Sequence, residues 1–425
     1  MVRYLKRGAD HLRKPDDSVG ARVKDLLGQV RDGGEDAVRG LSRELDAWEP
    51  ASFKIDWDVV LAAREEMPSD LLGHLTRAAE RIRRFAEEQL STVRDMEIEL
   101  EEGFVAGHRH IPVDSVGAYV AGGRYQLVSS ALMSVIPAKA AGVPRVIAVV
   151  GPRHGVGPSP STLVAADLAG ADEIWSLGGV QALGSLAYGC LPGLPAVDMI
   201  VGAGNDYVAE AKRQLFGTVG IDLLAGPSEV VIIADDTADA HTVAVDLLAQ
   251  AEHGPTSPAL LITTDEELAQ SVLRAVEGPL STWSTSEVAE AAWRTYGSVA
   301  VVESAEEAAA VSDAFAGEHV HLMVSDPEFY EGRLRNYGCL FVGHSATVAF
   351  GDKAAGPNHT LPTQSAARYT GGLSALKFLK TVTYQRFDES GGAALAADTA
   401  AIARAEGMTG HVVAAELRAG TRVVA

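Results

Sequence analysis

The sequence predicts an α/β protein built as two lobes with parallel sheets, flanked by small N- and C-terminal elements. Two observations carry this. From about Val113 onward, short β-branched runs bounded by Gly or Pro alternate with Ala-rich helical stretches, the texture of βαβ units and a parallel sheet. The alternation comes as two successive series in a chain of 425 residues that is 47% hydrophobic, enough to bury more than one core.

The elements follow in order. The first hundred residues show helical spacing with many charges, as in Ala21 to Val30 and Leu71 to Val93. The first series of strand candidates is Val146–Val150, Glu173–Leu177, Met199–Val201 and Val230–Ala234. The second is Leu260–Thr264, Val299–Val302, Leu322–Val324 and Leu340–Val342, with helices such as Ala305–Phe315 between them. Thr237 to His253 reads as a helix capped by Asp236 or Thr237 and stopped at Gly254–Pro255. Over the last fifty residues, Ala393 to Ala405 reads as helical and Val412 to Val424 as β-like.

The formal charge of −21, from 36 Lys and Arg against 57 Asp and Glu, opposes phosphate backbones and anionic membrane surfaces. It does not oppose a small anionic substrate, because a few local cations dominate a pocket. Cys190 and Cys339 are too few for a disulfide framework or a cysteine zinc site, which fits a reducing cytoplasm. Neither a signal peptide nor a membrane span is expected.

The chemistry-bearing residues are dispersed. Neither GxGxxG after a strand nor GxxxxGK[ST] occurs, so a nucleotide site does not follow from the residues alone. The turns at Gly122–Gly123, Gly178–Gly179 and Gly202–Gly204 can either bring backbone N–H groups to a ligand or serve as plain tight turns. Gln250 and His253 share a helix face one turn apart and can hold a divalent metal if distant partners converge on them. Asp352 and His411 are candidates, and Gln, His, Asp and His form a donor set compatible with zinc. His108 and His110 are a rival pair. Glu318–His319 stands between a helix and a strand, where an imidazole can take a proton from a hydroxyl and a carboxylate can activate water.

Five segments, GPSEVVIIAD (Gly226 to Asp235), DLLAQAEHGP (Asp246 to Pro255), GEHVHLMV (Gly317 to Val324), GDKAAGPNHTLPT (Gly351 to Thr363) and AEGMTGH (Ala405 to His411), resemble histidinol dehydrogenases in content and order. VGAYVAGG, IPAKAAGVP, LGGVQALGSLAYG and VGAGNDYVAEAKRQLFG extend the similarity over roughly residues 20 to 415. The resemblance implies two incomplete Rossmann-like lobes, a domain-exchanged homodimer and one zinc per active site. It places an N-terminal arm at 1–20 and a zinc and catalytic lobe at 21–118 with 231–375. An NAD-binding lobe at 119–230 and a dimerisation element at 376–425 complete the division. By motif match Gln250, His253, Asp352 and His411 hold the zinc, with the C-terminal ligand available from a partner subunit. Tyr119, Gln181 and Asn205 match NAD contacts, and Ser228, His359 and Glu406 match substrate contacts. His319 is the implied general base and Glu318 the group that activates water, in oxidation of a primary alcohol to a carboxylate through an aldehyde with two NAD reductions.

Departures from the histidinol pattern cluster beside the implied pocket. Ala121 stands where the family often has Pro, GGRYQLVSS replaces a GGTAPYPS-like segment, and ARYTGGLSALKFLKTVTYQ follows NHTLPT. These features, and DAWEPASFKI near residue 46, resemble the paralogues that oxidise 2,3-dihydroxypropane-1-sulfonate. A sulfonate wants Arg or amide donors, and Arg124 and Arg368 are cationic candidates. Glu406 suits a cationic amine and keeps L-histidinol as the alternative substrate. A zinc hydrolase and a non-catalytic paralogue are the remaining readings. The first would turn over without reducing NAD, and the second would have lost zinc ligands or base, whereas all six residues are present.

Overall fold

The computed structural model describes residues 2–10, 17–123, 125–153 and 155–419. The chain starts with β1 (Arg3–Lys6), followed by α1 (Asp17–Asp46), which is broken at the non-helical Gly34, α2 (Trp57–Glu65) and α3 (Ser69–Ser91). The apolar stripe of α1 buries Val23, Leu26, Leu27 and Val30. An antiparallel pair, β2 (Met96–Glu101) and β3 (Phe104–Pro112), precedes the first lobe.

That lobe contains β4 (Ser115–Val120), α4 (Val128–Ala140), β5 (Arg145–Val150), α5 (Pro160–Ala169), β6 (Glu173–Trp175), α6 (Gly179–Tyr188), β7 (Met199–Val201), α7 (Asp206–Leu215) and β8 (Gly220–Ile221). Its five parallel strands run in the order β6-β5-β4-β7-β8. Val116, Ala118 and Val120 pack on one face, and Ile147, Val149 and Ile200 on the other. A sheet covered on both faces requires such unbroken apolar strands. The chain winds outward from β4 through β6 and returns to β7, so strand order reverses beside β4. Ligand clefts in such sheets lie outside the carboxyl ends at this reversal.

The second lobe contains β9 (Val230–Ala234), α8 (Ala240–Ala251), β10 (Ala259–Thr263), α9 (Glu266–Ala275), α10 (Glu277–Thr282), α11 (Ser286–Tyr296), β11 (Gly297–Val301), α12 (Ala305–Phe315), β12 (His319–Met323), α13 (Pro327–Glu331), β13 (Cys339–Val342) and α14 (Val348–Lys353). Its sheet has the order β1-β11-β10-β9-β12-β13, parallel except for β1. Finally β14 (Leu379–Phe387) pairs antiparallel with β3 over nine residues, and α15 (Glu389–Ala405) packs on α16 (Thr409–Arg418).

Several expectations are corrected. Val412 to Val424 reads as β-like, but residues to Arg418 lie in α16, and 420–425 fall outside the described residues. The cap of α8 is Asp239, whose carboxylate accepts the Thr242 N–H at 2.8 Å, because the helix starts three residues later than expected. The division expected between residues 118 and 119 falls inside β4, and α1, α2 and α3 pack on helices of the five-stranded lobe. Among the described residues no helix is long and apolar enough to cross a membrane.

Within the first lobe a fully buried ion pair, Lys212–Asp222, fixes the turn after β7. Lys212 Nζ donates to the Gly202 carbonyl at 2.8 Å, and Asp222 Oδ2 accepts the Gly202 N–H at 2.8 Å. Gly202 itself has φ +111°, and a Cβ there would stand 2.1 Å from the Tyr119 carbonyl oxygen, so both the conformation and the space require glycine. Lys212→Met leaves Asp222 charged and unpaired in the core. It is expected to lower the unfolding free energy by about 3–5 kcal/mol, read from denaturant midpoints, and a loss of under about 1 kcal/mol would show the pair to be dispensable.

Candidate active site

Two sheet edges face each other. The carboxyl end of β4 leads to Tyr125, whose hydroxyl donates to the Glu252 carbonyl at 3.0 Å, and to Ser130, whose Oγ lies 3.1 Å from His359 Nε2. On the opposite side stand the amino ends of β9 and β12, preceded by Ser228, Glu229 and Glu318.

The polar groups form a chain. Gln250, at the end of α8, donates through Nε2 to Ser228 Oγ. Ser228 Oγ donates to Glu318 Oε2 at 2.5 Å, and the Glu229 N–H reaches the same oxygen at 2.8 Å. His319 Nε2 lies 3.6 Å from Glu318 Oε2 and 3.8 Å from Asp352 Oδ1, and Asp352 Oδ2 lies 3.2 Å from His253 Nε2. His359 Nδ1 meets the Asp352 carbonyl at 2.7 Å. A carbonyl only accepts, so Nδ1 carries the proton and Nε2 accepts from Ser130. Asp352, read from sequence as a loop residue, stands in the short helix α14.

Burial sets the ionisation. It drives the Glu318 carboxyl well above its ordinary range, against the Ser228 hydroxyl and Glu229 N–H that favour the anion. It pushes His319 down to about 4, so the imidazole is neutral near pH 7. Burial alone would raise Asp352, but the His253 hydrogen bond and the surrounding imidazoles hold it well below the usual carboxylate range. An ionised, buried carboxylate touching an imidazole beside an amide side chain is the oxygen and nitrogen donor chemistry that a zinc ion requires.

The structure thus joins Gln250, His253, Asp352, Glu318, His319, Ser228 and His359. It does not bring His411 or Glu406 to them. Both are exposed in the C-terminal region, and among the described residues neither side chain has a hydrogen bond or ion pair to the cluster. Among the described residues no three His, Cys, Asp or Glu side chains assemble as a metal group within one chain. Arg124 lies outside the described residues. Arg368 is exposed, its Nε donating to the Ser365 carbonyl at 3.0 Å.

A cleft of about 340 Å³ lies at the carboxyl edge of the five-stranded sheet, lined by Tyr119, Gly122, Gly123, Gly178, Gly179, Gln181 and Asn205 among others. The Gly-rich turns of the sequence therefore converge. Tyr119 Oη accepts the Gly179 N–H at 3.0 Å, Gln181 Nε2 donates to Asp46 at 2.8 Å, and Asn205 Oδ1 caps α7 at 3.1 Å. Gln181 Oε1 is buried without a hydrogen bond. The starts of α6 and α7 both line this cleft, and helix N-termini receive anions such as a pyrophosphate.

The sequence profile of the histidinol dehydrogenase family matches residues 11–419. The chain belongs to the histidinol dehydrogenase family. A "histidinol dehydrogenase homolog" of Shouchella clausii is 46% identical, covering 98% of this chain and 99% of its own length. The sulfopropanediol 3-dehydrogenase of Ruegeria pomeroyi is 43% identical over 98% and 96%. Among solved structures, histidinol dehydrogenase from Elizabethkingia anophelis superposes with a TM-score of 0.90 at 31% identity, covering 98% of this chain and 94% of that one. The family consists of oxidoreductases acting on alcohols.

Sequence reasoning gave no role to Glu229, although GPSE places it beside Ser228. Its Oε1 accepts the Gln364 N–H at 2.8 Å, while Oε2 is buried without a partner, and burial pushes its pKa up to about 8. Gln364 and Ser365 have φ of 53° and 60°, so Glu229 holds a strained turn against the Ser228 loop. Because the folded pKa lies above the unfolded one, Glu229 costs nothing at low pH, and the cost accumulates as pH rises from about 4.5 to about 8. Glu229→Gln keeps the acceptor. It is therefore expected to gain stability over the parent by on the order of 2–3 kcal/mol between pH 5.5 and pH 8, read from melting curves at both pH values, and a pH-independent difference would contradict this.

Proposed function

We propose that this chain is a zinc-dependent, NAD-linked dehydrogenase that oxidises the primary alcohol of 2,3-dihydroxypropane-1-sulfonate to the carboxylate of 3-sulfolactate through an aldehyde. The observation that carries the reading is the buried Glu318–His319 pair set against Asp352 and His253. Gln250, His253 and Asp352 would hold zinc, with His411 of a second copy as the fourth ligand. When bound, zinc supplies Lewis-acid polarisation of a substrate oxygen, and NAD supplies a two-electron acceptor in each of two rounds.

His319, neutral through burial, takes the hydroxyl proton as the alcohol loses hydride. Glu318, once ionised, takes a proton from the water that adds to the aldehyde, and loss of a second hydride leaves the carboxylate. Ser228 orients Glu318. The cleft at Tyr119, Gln181 and Asn205 would take the dinucleotide. Its lining contains none of the proton-transferring residues, so the adenosine end belongs there and the nicotinamide extends toward Ser130 and His359.

The sulfonate reading rests on Arg368, carried by the turn that Glu229 and Thr363 pin to residues 226–229, together with the motif departures around Ala121 and Arg124. The alternative, L-histidinol, rests on Glu406. A homodimer is favoured by apolar side chains left exposed on β2, β14, α15 and the turn into α16, among them Met96, Ile98, Leu100, Val382, Phe387, Ile402 and Met408. The cytoplasm is the compartment this chemistry suits.

NADH formation by zinc-loaded protein is the test, with racemic 2,3-dihydroxypropane-1-sulfonate and, separately, L-histidinol. Turnover of the sulfonate diol, with kcat reduced about 10²- to 10⁴-fold in His319→Ala, is expected. Turnover of histidinol alone would replace the substrate and keep the mechanism, whereas hydrolysis without NAD reduction would replace the reaction.

A further inference from the structure

His321 follows His319 by two residues on β12, so both side chains stand on the same face of the strand. His321 is fully buried, with Nε2 3.1 Å from the Gly343 carbonyl, while Nδ1 and Asp246 Oδ2 face each other at 3.3 Å, both buried and without a hydrogen bond. The carbonyl accepts, so Nε2 carries a proton. Asp246 is itself buried, and its Oδ1 accepts the Thr347 hydroxyl at 3.1 Å.

Each partner belongs to a different element of the active site. Asp246 lies on α8 one turn before Gln250, and that helix leads to His253. His321 lies on the strand that starts with His319. Thr347 caps α14, accepting the Ala349 N–H at 3.3 Å, and that helix bears Asp352. Gly343 opens the connection to it. Asp246 therefore bonds the cap of α14 through Thr347 and stands against the His321 ring of β12, so one buried carboxylate adjoins the three elements that deliver the amide, the imidazoles and the carboxylate of the cluster.

The surroundings are apolar. Leu247, Val348 and Phe341 belong to the same core, and the Phe341 ring centroid lies 5.8 Å from that of His319 and 6.3 Å from that of His321. Apolar contacts tolerate a small slide of one helix past another, whereas buried polar contacts have fixed lengths and directions. None of the three side chains reaches the reacting groups directly.

We propose that Asp246, acting with His321 and Thr347, is the positioning residue of the zinc cluster, fixing α8 and α14 relative to β12. The proposal rests on the zinc reading given above. Groups that orient metal ligands typically contribute about 10- to 100-fold in metal affinity.

The test is zinc affinity of the full chain, stripped with a chelator and titrated with zinc against a chromophoric competitor, alongside melting of the zinc-free protein. Asp246→Asn and Thr347→Val are expected to weaken zinc about 10- to 100-fold, while Thr347→Ser, which keeps the hydroxyl, restores affinity to within about threefold of the parent. Cobalt substitution provides a second readout, with the visible spectrum shifted in Thr347→Val and restored in Thr347→Ser. Parent-like zinc affinity in both Asp246→Asn and Thr347→Val, with only the melting temperature lowered, would reduce the trio to a core contact and overturn the proposal. If Asp246→Asn does not fold, the Thr347 pair decides alone. A parent protein that binds no zinc would refute the zinc reading itself, and the proposal with it.

Discussion

The site depends on keeping ionisable groups out of water at the amino edge of the six-stranded sheet. Glu318, Glu229, His319 and Asp352 are all buried within a few residues of the starts of β9 and β12 or on the helix beside them. In water these groups would have ordinary acidities and no reason to act together. Removed from it, the two glutamates tend toward neutrality and His319 toward the free imidazole, while Asp352 remains an anion held by His253. The same burial creates a proton acceptor and a cation-seeking carboxylate less than 4 Å apart.

The two lobes contribute opposite edges. The five-stranded sheet follows the usual rule for wound α/β sheets, with glycine turns converging beyond its carboxyl ends where strand order reverses. The six-stranded sheet presents its amino ends instead. The contacts from Tyr125 to Glu252 and from Ser130 to His359 hold the edges face to face, so a ligand spanning them touches both cores.

Much of the fold was legible because buried parallel strands leave a plain trace. Val146–Val150, Met199–Val201 and Val230–Ala234 each coincide with an observed strand to within a residue, since few sequences other than core strands place β-branched residues so densely. The residue types of Glu318–His319 were legible too. Their convergence with Asp352 was not, because it depends on α14 packing against α8, a long-range contact without local signature. His321 carried a readable signal, two residues from His319 in a strand, but only its burial against Asp246 gives it meaning. The C-terminal Val-rich stretch misled because Val412 and Val413 favour strands locally, while packing of α16 on α15 overrides that preference.

The pairing of β14 with β3 links a strand near residue 108 to one near residue 383. During synthesis β3 must therefore wait, its free edge open, until nearly the whole chain has left the ribosome, long after the strands of the first lobe are complete. Such delayed closure exposes a template for cross-chain association. The neighbouring strand β2 reads Met-Glu-Ile-Glu-Leu-Glu, and its alternating carboxylates line one face with negative charge that meets β14 only when Tyr384 and Arg386 donate to Glu97.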